Sequence, residues 1–196
     1  MNGLHRAMSF GGILPQQSID YVVDHFEHVT LKASENFQNL GVVAHEVGFV
    51  LEGVLRNFSY SKNGDDVTKY FIRQNQFAVD LESYYSLKPS ETILQAVVDA
   101  QLLVIKRQVW DRLNEEVPKL FILTKSLTEA TLLNKIKDND FLNFGTAKEK
   151  YLEFVNRYPE LVKTVPQQYI ASYLKITPQS LSRIRKNLAN TSNNLK

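Results

Sequence analysis

Between Gly53 and Arg73 the sequence reads GVLRNFSYSKNGDDVTKYFIR, and this stretch limits the fold more than any other. Val54, Arg56, Phe58 and Tyr60 alternate with Leu55, Asn57 and Ser59, a period of two that suits an extended strand and not a helix. Asn63-Gly64 then supplies a tight turn, and VTKYFIR resumes the alternation, so 54–73 is predicted as a β-hairpin. TILQAVV and AQLLVIKR add two further strands after the loop SLKPSE. Short strands with turns between them, from about Val29 to Lys106, predict an antiparallel sandwich or barrel-like roll.

Helical periods flank this region. Pro15 opens an amphipathic helix, PQQSIDYVVDHFEHV, with Ile19, Val22, Val23 and Phe26 at i, i+3, i+4 and i+7. After Trp110 the helical period returns, and Pro118 suits the first turn of a long helix reaching about Asn143. Leu120, Leu123, Leu127 and Ala130 form one apolar stripe on it, continued by Asn134. Phe121, Leu132, Leu133 and Ile136 form a second, roughly 100° or more away. Two separated faces need two partners. Either this is a core helix between domains, or one face packs on the β-domain and the other on the same helix of a second subunit. The heptad-like spacing, with Asn134 at a core position, favours a homodimer. GTAKEKYLEFVNRYP then gives a capping box, Thr146 with Glu149, and a helix ended by Pro159. The expected class is α+β: a helical cap (1–28) and β-domain (29–108) forming a unit over 1–108, a connecting helix over 109–143, and a helical domain over 144–196. The end of that domain, LANTSNNLK, reads as a frayed polar tail.

Several function classes drop out. No apolar run approaches the roughly 18 residues of a membrane span, and MNGLHRAMSFGG lacks a signal-peptide core, so the cytoplasm is the expected location and a membrane is not an expected partner. With no cysteine, disulfides, thiolate-held iron–sulfur clusters and Cys-based zinc sites are excluded. His45, in GVVAHEVGF, lacks the paired histidines and glutamate of a metal-binding cupin. His25 and His28, beside Asp24 and Glu27, read as a solvated helix face. With no metal triad, nucleophile elbow or phosphate loop, neither a cofactor nor an enzyme activity is expected. Charge is divided unevenly. From Thr164 to Lys196 there are five Lys/Arg and no Asp or Glu, while 1–160 carries a balance of −4. A mildly acidic body with a basic end suggests that the end meets a polyanion, and charge alone does not separate nucleic acid from membrane.

That basic end has internal order. In QQYIASYLKITPQSLSRIRKN, Ile170, Ala171 and Leu174 define the inner face of a first helix. Thr177 is an N-cap, Pro178 suits the first helical position, and Leu181 and Ile184 face inward on a second helix, with Ile176 plugging the turn. This is the layout of a helix-turn-helix. Gln179, Ser180, Ser182, Arg183, Arg185 and Lys186 are left on the outer side.

IASYLKITPQSLSRIRK resembles the DNA-binding motif of the Crp/Fnr superfamily, in a short Bacteroidetes-type form with LSRIRK near the C-terminus. FVLEGVLRNFSYSKNGDDVTKYFIRQNQF is similar to that family's central hairpin, and ETILQAVVDAQLLVIKRQVWDRL to its closing strands and the entry to its dimer helix. The resemblance implies a cyclic-nucleotide-binding-type β-roll, a long dimerisation helix and a C-terminal helix-turn-helix. It also implies double-stranded DNA with a near-palindromic operator as partner, a second copy of the chain, RNA polymerase, and a small-molecule effector of unidentified chemistry. Carried over by position, it implies base reading by Gln179 and Arg183, with Pro178 unable to supply a third polar side chain. Lys175 stands in the turn where relatives usually have Gly. The pattern lacks the family's β-wing, so backbone and phosphate contacts would fall to Thr164, Gln167, Thr177, Ser180, Ser182, Arg185 and Lys186.

For the effector pocket the resemblance implies Val79, Asp80, Lys88, Ser90 and Glu91, with Thr131. Val79-Asp80 stand for a Gly-Glu pair that holds the ribose, and Ser90-Glu91 for an Arg-Ser pair that holds the phosphate. A cradle without its guanidinium and with a Glu repels an anion, and Lys88 is a mobile point charge, so cyclic AMP binding is expected to be lost. The alternative is a small-molecule sensor or protein-interaction module without specific DNA binding.

Overall fold

The computed structural model describes residues 3–193, and the side chains of all of these except 134, 137–140 and 191–193. The chain opens with α1 (Gly3–Met8), a 3-10 turn (Phe10–Gly12) and α2 (Gln16–Val23), with Pro15 extended at the cap of α2. Ile19, Val22 and Val23 are buried, as their spacing predicts. The helix stops at Val23 instead of continuing to Val29, and β1 (Glu27–Leu31) begins at once, its Val29 and Thr30 favouring the pleated backbone. His25 and His28 therefore share no helix face.

The remaining strands are β2 (Asn36–Gln38), β3 (Glu46–Glu52), β4 (Leu55–Tyr60), β5 (Asp66–Ile72), β6 (Phe77–Ala78), β7 (Ile93–Ala96) and β8 (Ala100–Lys106). They form two four-stranded sheets, β1-β8-β3-β6 and β2-β7-β4-β5. The predicted hairpin is β4–β5, closed by Ser61–Asp65 with Gly64 at φ 85. The pairs β1–β8, β3–β8, β3–β6, β2–β7 and β4–β7 are antiparallel. Alternation splits the strands between two cores. Val50, Leu55, Leu94, Leu102 and Val104 fill the inside of the roll, while Phe49, Leu103 and Ile105 pack against Leu4, Met8, Ile19 and Val22 of the N-terminal helices. Gly53 makes the β3–β4 turn at φ 92, where a Cβ would lie 2.6 Å from Asp99 O.

Two elements depart from expectation. α3 (Leu81–Ser86) runs up to the start of the loop SLKPSE, where no helix was expected. The single helix expected over 109–143 is two, α4 (Arg107–Glu116) and α5 (Leu120–Asn143), interrupted at Val117–Lys119, where Pro118 has no N–H to give and Lys119 takes φ 69.

The helical end comprises α6 (Ala147–Arg157), α7 (Pro159–Thr164), α8 (Gln167–Tyr173) and α9 (Pro178–Asn193). The capping box of α6 is formed as predicted: Glu149 N–H donates to Thr146 Oγ1 at 3.3 Å, and Thr146 N–H donates to Glu149 Oε2 at 2.7 Å. The Thr146 N–H, and after it the Thr146 side chain, hold the Glu149 carboxyl below its ordinary value. Pro159 ends one helix and opens the next. α9 runs on through much of the stretch expected to fray, as far as Asn193, and residues 194–196 of that tail lie outside the described residues. The chain divides into two compact units, Met1–Ser59 with Tyr70–Leu132, and Tyr60–Lys69 with Leu133–Lys196. The tip of the hairpin thus belongs with the helical end. Among the described residues no helix is long and apolar enough to cross a membrane.

Candidate nucleic-acid interface

α8 and α9 pack through a small apolar seam. Ile170, Ala171, Leu174 and Leu181 are buried, and Ile184 is half-buried. The turn between the helices is a Schellman closure: Ile176 N–H donates to Ala171 O at 3.0 Å, and Lys175 N–H to Ser172 O at 3.0 Å. That closure needs a left-handed residue at position 175, and Lys175 supplies it at φ 57. Thr177 caps α9 as expected, its Oγ1 accepting from Ser180 N–H at 3.1 Å and donating to Ser180 Oγ at 2.9 Å. Ser172 turns the other way. Its hydroxyl donates to Asp66 O at 3.1 Å and accepts from Thr68 N–H at 2.9 Å, fastening α8 to the hairpin tip within the same unit.

On the far side of α9, Gln179, Ser182, Arg183 and Lys186 are exposed, and Ser180 and Arg185 are half-exposed. Thr164 and Gln167 are exposed at the end of α7 and the start of α8, Thr164 donating its hydroxyl proton to Glu160 O at 3.0 Å. Arg183 also lines a groove of about 430 Å³ with Ser180, Ile184 and Asn187 of α9 and Thr146 and Lys148 at the start of α6. Lys148 is a second cation lining this groove that the sequence reading missed, because no spacing rule links residue 148 to residue 183.

The positions assigned to an effector pocket fall into two sets. Asp80 and Ser90 come together, joined by Ser83 and Thr92. Asp80 caps α3, accepting from Ser83 N–H at 3.2 Å, while its other oxygen accepts from the Ser90 hydroxyl and from Thr92 Oγ1 at 3.1 Å. Asn57 Nδ2 donates to Thr92 Oγ1 at 2.8 Å. Burial, and then the Asp80 charge, push the Tyr70 phenol up to about 12. Lys88 and Glu91 instead face solvent, Val79 is half-buried, and Thr131 is exposed with its hydroxyl bonded back to Leu127 O at 2.8 Å. Ser83 and Thr92 were not singled out beforehand.

The stripe expected at a dimer seam is used differently. Leu120 and Leu123 are fully buried in the chain's own core beside Leu113 and Val117, and Leu127 packs against the same cluster. They are not free for a second subunit. Ala130 is half-buried, and the side chain of Asn134 lies outside the described residues. The second stripe is the open one, with Phe121 63%, Leu132 57%, Leu133 59% and Ile136 52% exposed.

No family model and no curated protein matches the chain. Solved structures do. FixK2 from Bradyrhizobium japonicum is 15% identical, with 85% of this chain and 86% of that one aligned at a TM-score of 0.72. The c-di-GMP responsive global regulator CLP of Xanthomonas campestris is 12% identical over 91% and 93% of the two chains, also at 0.72. The catabolite activator protein of Thermus thermophilus is 16% identical over 95% and 88%, at 0.57. The fold of this chain is that of the Crp/Fnr regulators, a β-roll followed by a C-terminal helical domain.

Proposed function

We propose that this chain is a homodimeric, sequence-specific DNA-binding regulator of transcription of the Crp/Fnr kind, acting in the cytoplasm, whose β-roll does not bind cyclic AMP. One observation carries the reading: α9 is fixed from below by buried Leu181 and capped by Thr177, and it presents Gln179, Ser182, Arg183 and Lys186 to solvent with no acidic residue on the helix. Gln and Arg read base edges bidentately, and Ser and Lys commonly hold phosphates. Lys148 joins the expected backbone contacts, Thr164, Gln167, Thr177, Ser180, Ser182, Arg185 and Lys186, because it shares a groove with Arg183.

Dimerisation is assigned to the exposed stripe of α5 rather than to Leu120 and Leu123. Two copies would then offer α9 to successive major grooves, about 34 Å apart. Loss of cyclic AMP binding is inferred from the missing guanidinium at Ser90-Glu91. A gel shift on the gene's own upstream region tests the proposal. A specific complex that weakens steeply with salt is expected; no specific band over a range of salt concentrations leaves the protein-interaction reading instead.

A further inference from the structure

We propose that the Asp80 carboxylate is the resident anion of the β-roll, filling a nest of donors that would otherwise call for a ligand and holding the sensor in one conformation with no small molecule bound. The inference deepens the reading of the roll given above and is independent of DNA binding.

Three donors from three places in the chain converge on this one group: the Ser83 N–H inside α3, the Ser90 hydroxyl in the following loop, and the Thr92 hydroxyl at the entry to β7. Further hydrogen bonds stand behind the two hydroxyls. Thr92 N–H donates to Ser90 Oγ at 3.1 Å, and the Ser90 proton is shared between Asp80 and a second acceptor, Thr92 O at 2.8 Å. Asn57 Nδ2 donates to Thr92 Oγ1 at 2.8 Å, which turns the Thr92 proton toward Asp80. One relay, from Asn57 through Thr92, thus ends on the carboxylate, which the Ser90 hydroxyl also reaches, and bonds to an ionised acceptor are the strong ones. Ser90 is buried, so these are not contacts that water replaces at no cost.

The same residues reach a second segment. Gly41 N–H donates to Ser90 O at 2.8 Å, Ser90 N–H to Val42 O at 3.0 Å, and Ala44 N–H to Ser83 Oγ at 2.9 Å. Asp80 is therefore the hub joining β4, α3, the loop before β7 and the 41–44 loop. An incoming anion would meet a carboxylate already holding the donors. The conformation of the roll is set by the chain itself.

Hydrogen–deuterium exchange on the full chain tests this, read on the segments 39–44 and 80–92. In the wild type, cyclic AMP and cyclic GMP are expected to leave exchange unchanged. Asp80→Ala should raise it about tenfold or more in both segments, and acetate or formate should restore part of the protection by refilling the space. Asp80→Asn should also raise exchange but gain nothing from acetate, since its amide still fills the site. Ser90→Ala removes one donor, and its exchange should rise less than that of Asp80→Ala; it keeps the test open should the alanine variant at 80 not fold. Protection of the wild type by either nucleotide overturns the proposal, as does unchanged exchange in both Asp80→Asn and Ser90→Ala. No DNA enters the measurement, so a failed gel shift and a failed exchange experiment are separate results.

Discussion

Replacing Thr177 by Asp should move the stability of α9 and its hold on DNA in opposite directions. Thr177 Oγ1 accepts from Ser180 N–H at 3.1 Å, Leu181 N–H already bonds Thr177 O at 3.0 Å, and Pro178 has no N–H to satisfy. The cap therefore serves one of the few open donors in the first turn. Asp caps at least as well as Thr, and its charge sits at the positive end of the helix, a further gain of about 0.3–1 kcal/mol. On DNA the sign reverses. A carboxylate about 4 Å from a phosphate costs about 1 kcal/mol in water and about 4 kcal/mol at a surface-like dielectric, and the salt slope should drop by about one unit. Urea unfolding and fluorescence anisotropy on the upstream fragment at two salt concentrations measure both effects. Thr177→Ala is the control, costing about 1 kcal/mol of stability with no added charge. Should Thr177→Asp lower stability, the cap is not formed as described. Should it bind DNA as tightly as the wild type, the start of α9 does not approach the backbone.

Arg183→Ala should cost about 1–3 kcal/mol of binding at one base position and leave the melting temperature unchanged, since Arg183 is exposed; binding assays on single-base operator variants locate the position. Leu132→Asp, on the exposed stripe of α5, should yield a monomer by light scattering with little loss of stability. Leu120→Ala should instead destabilise the fold by about 2–5 kcal/mol, as expected for a buried leucine, and leave the oligomer intact. Isothermal titration with cyclic AMP should give no heat of binding, and micromolar affinity would refute the assignment of the roll.

What the sequence showed was governed by local rules. The hairpin is written in alternation and an Asn-Gly pair, and the α8–α9 pair in a cap, a first-turn proline and four apolar positions, so both could be read directly. The end of α2 could not. Phe26 continues the helical spacing, yet it is buried from a turn, because Val29 and Thr30 gain more as part of β1 than the helix gains from another turn. Periodicity likewise showed two apolar faces on α5 without saying which would be covered. Leu120 and Leu123 are claimed by the core because the break at Val117–Lys119 starts α5 beside Leu113 and Val117, a position fixed by tertiary packing and not by spacing.

The sites follow the same division. Lys175 was legible as a turn residue, and the structure shows why a side chain is tolerated there: two backbone bonds close the end of α8 around its left-handed φ, and they offset a conformation that costs a non-glycine residue about 1–2 kcal/mol. The Asp80 hub was legible only in part: the resemblance put Asp80 and Ser90 in one pocket, but positions 57, 83 and 92 share no period with them and join only when two strands, a short helix and a loop have folded. Residue identity did show that the anion's usual partners are missing. Where the remaining donors would turn was decided by the folded chain, and they turn toward a carboxylate of its own.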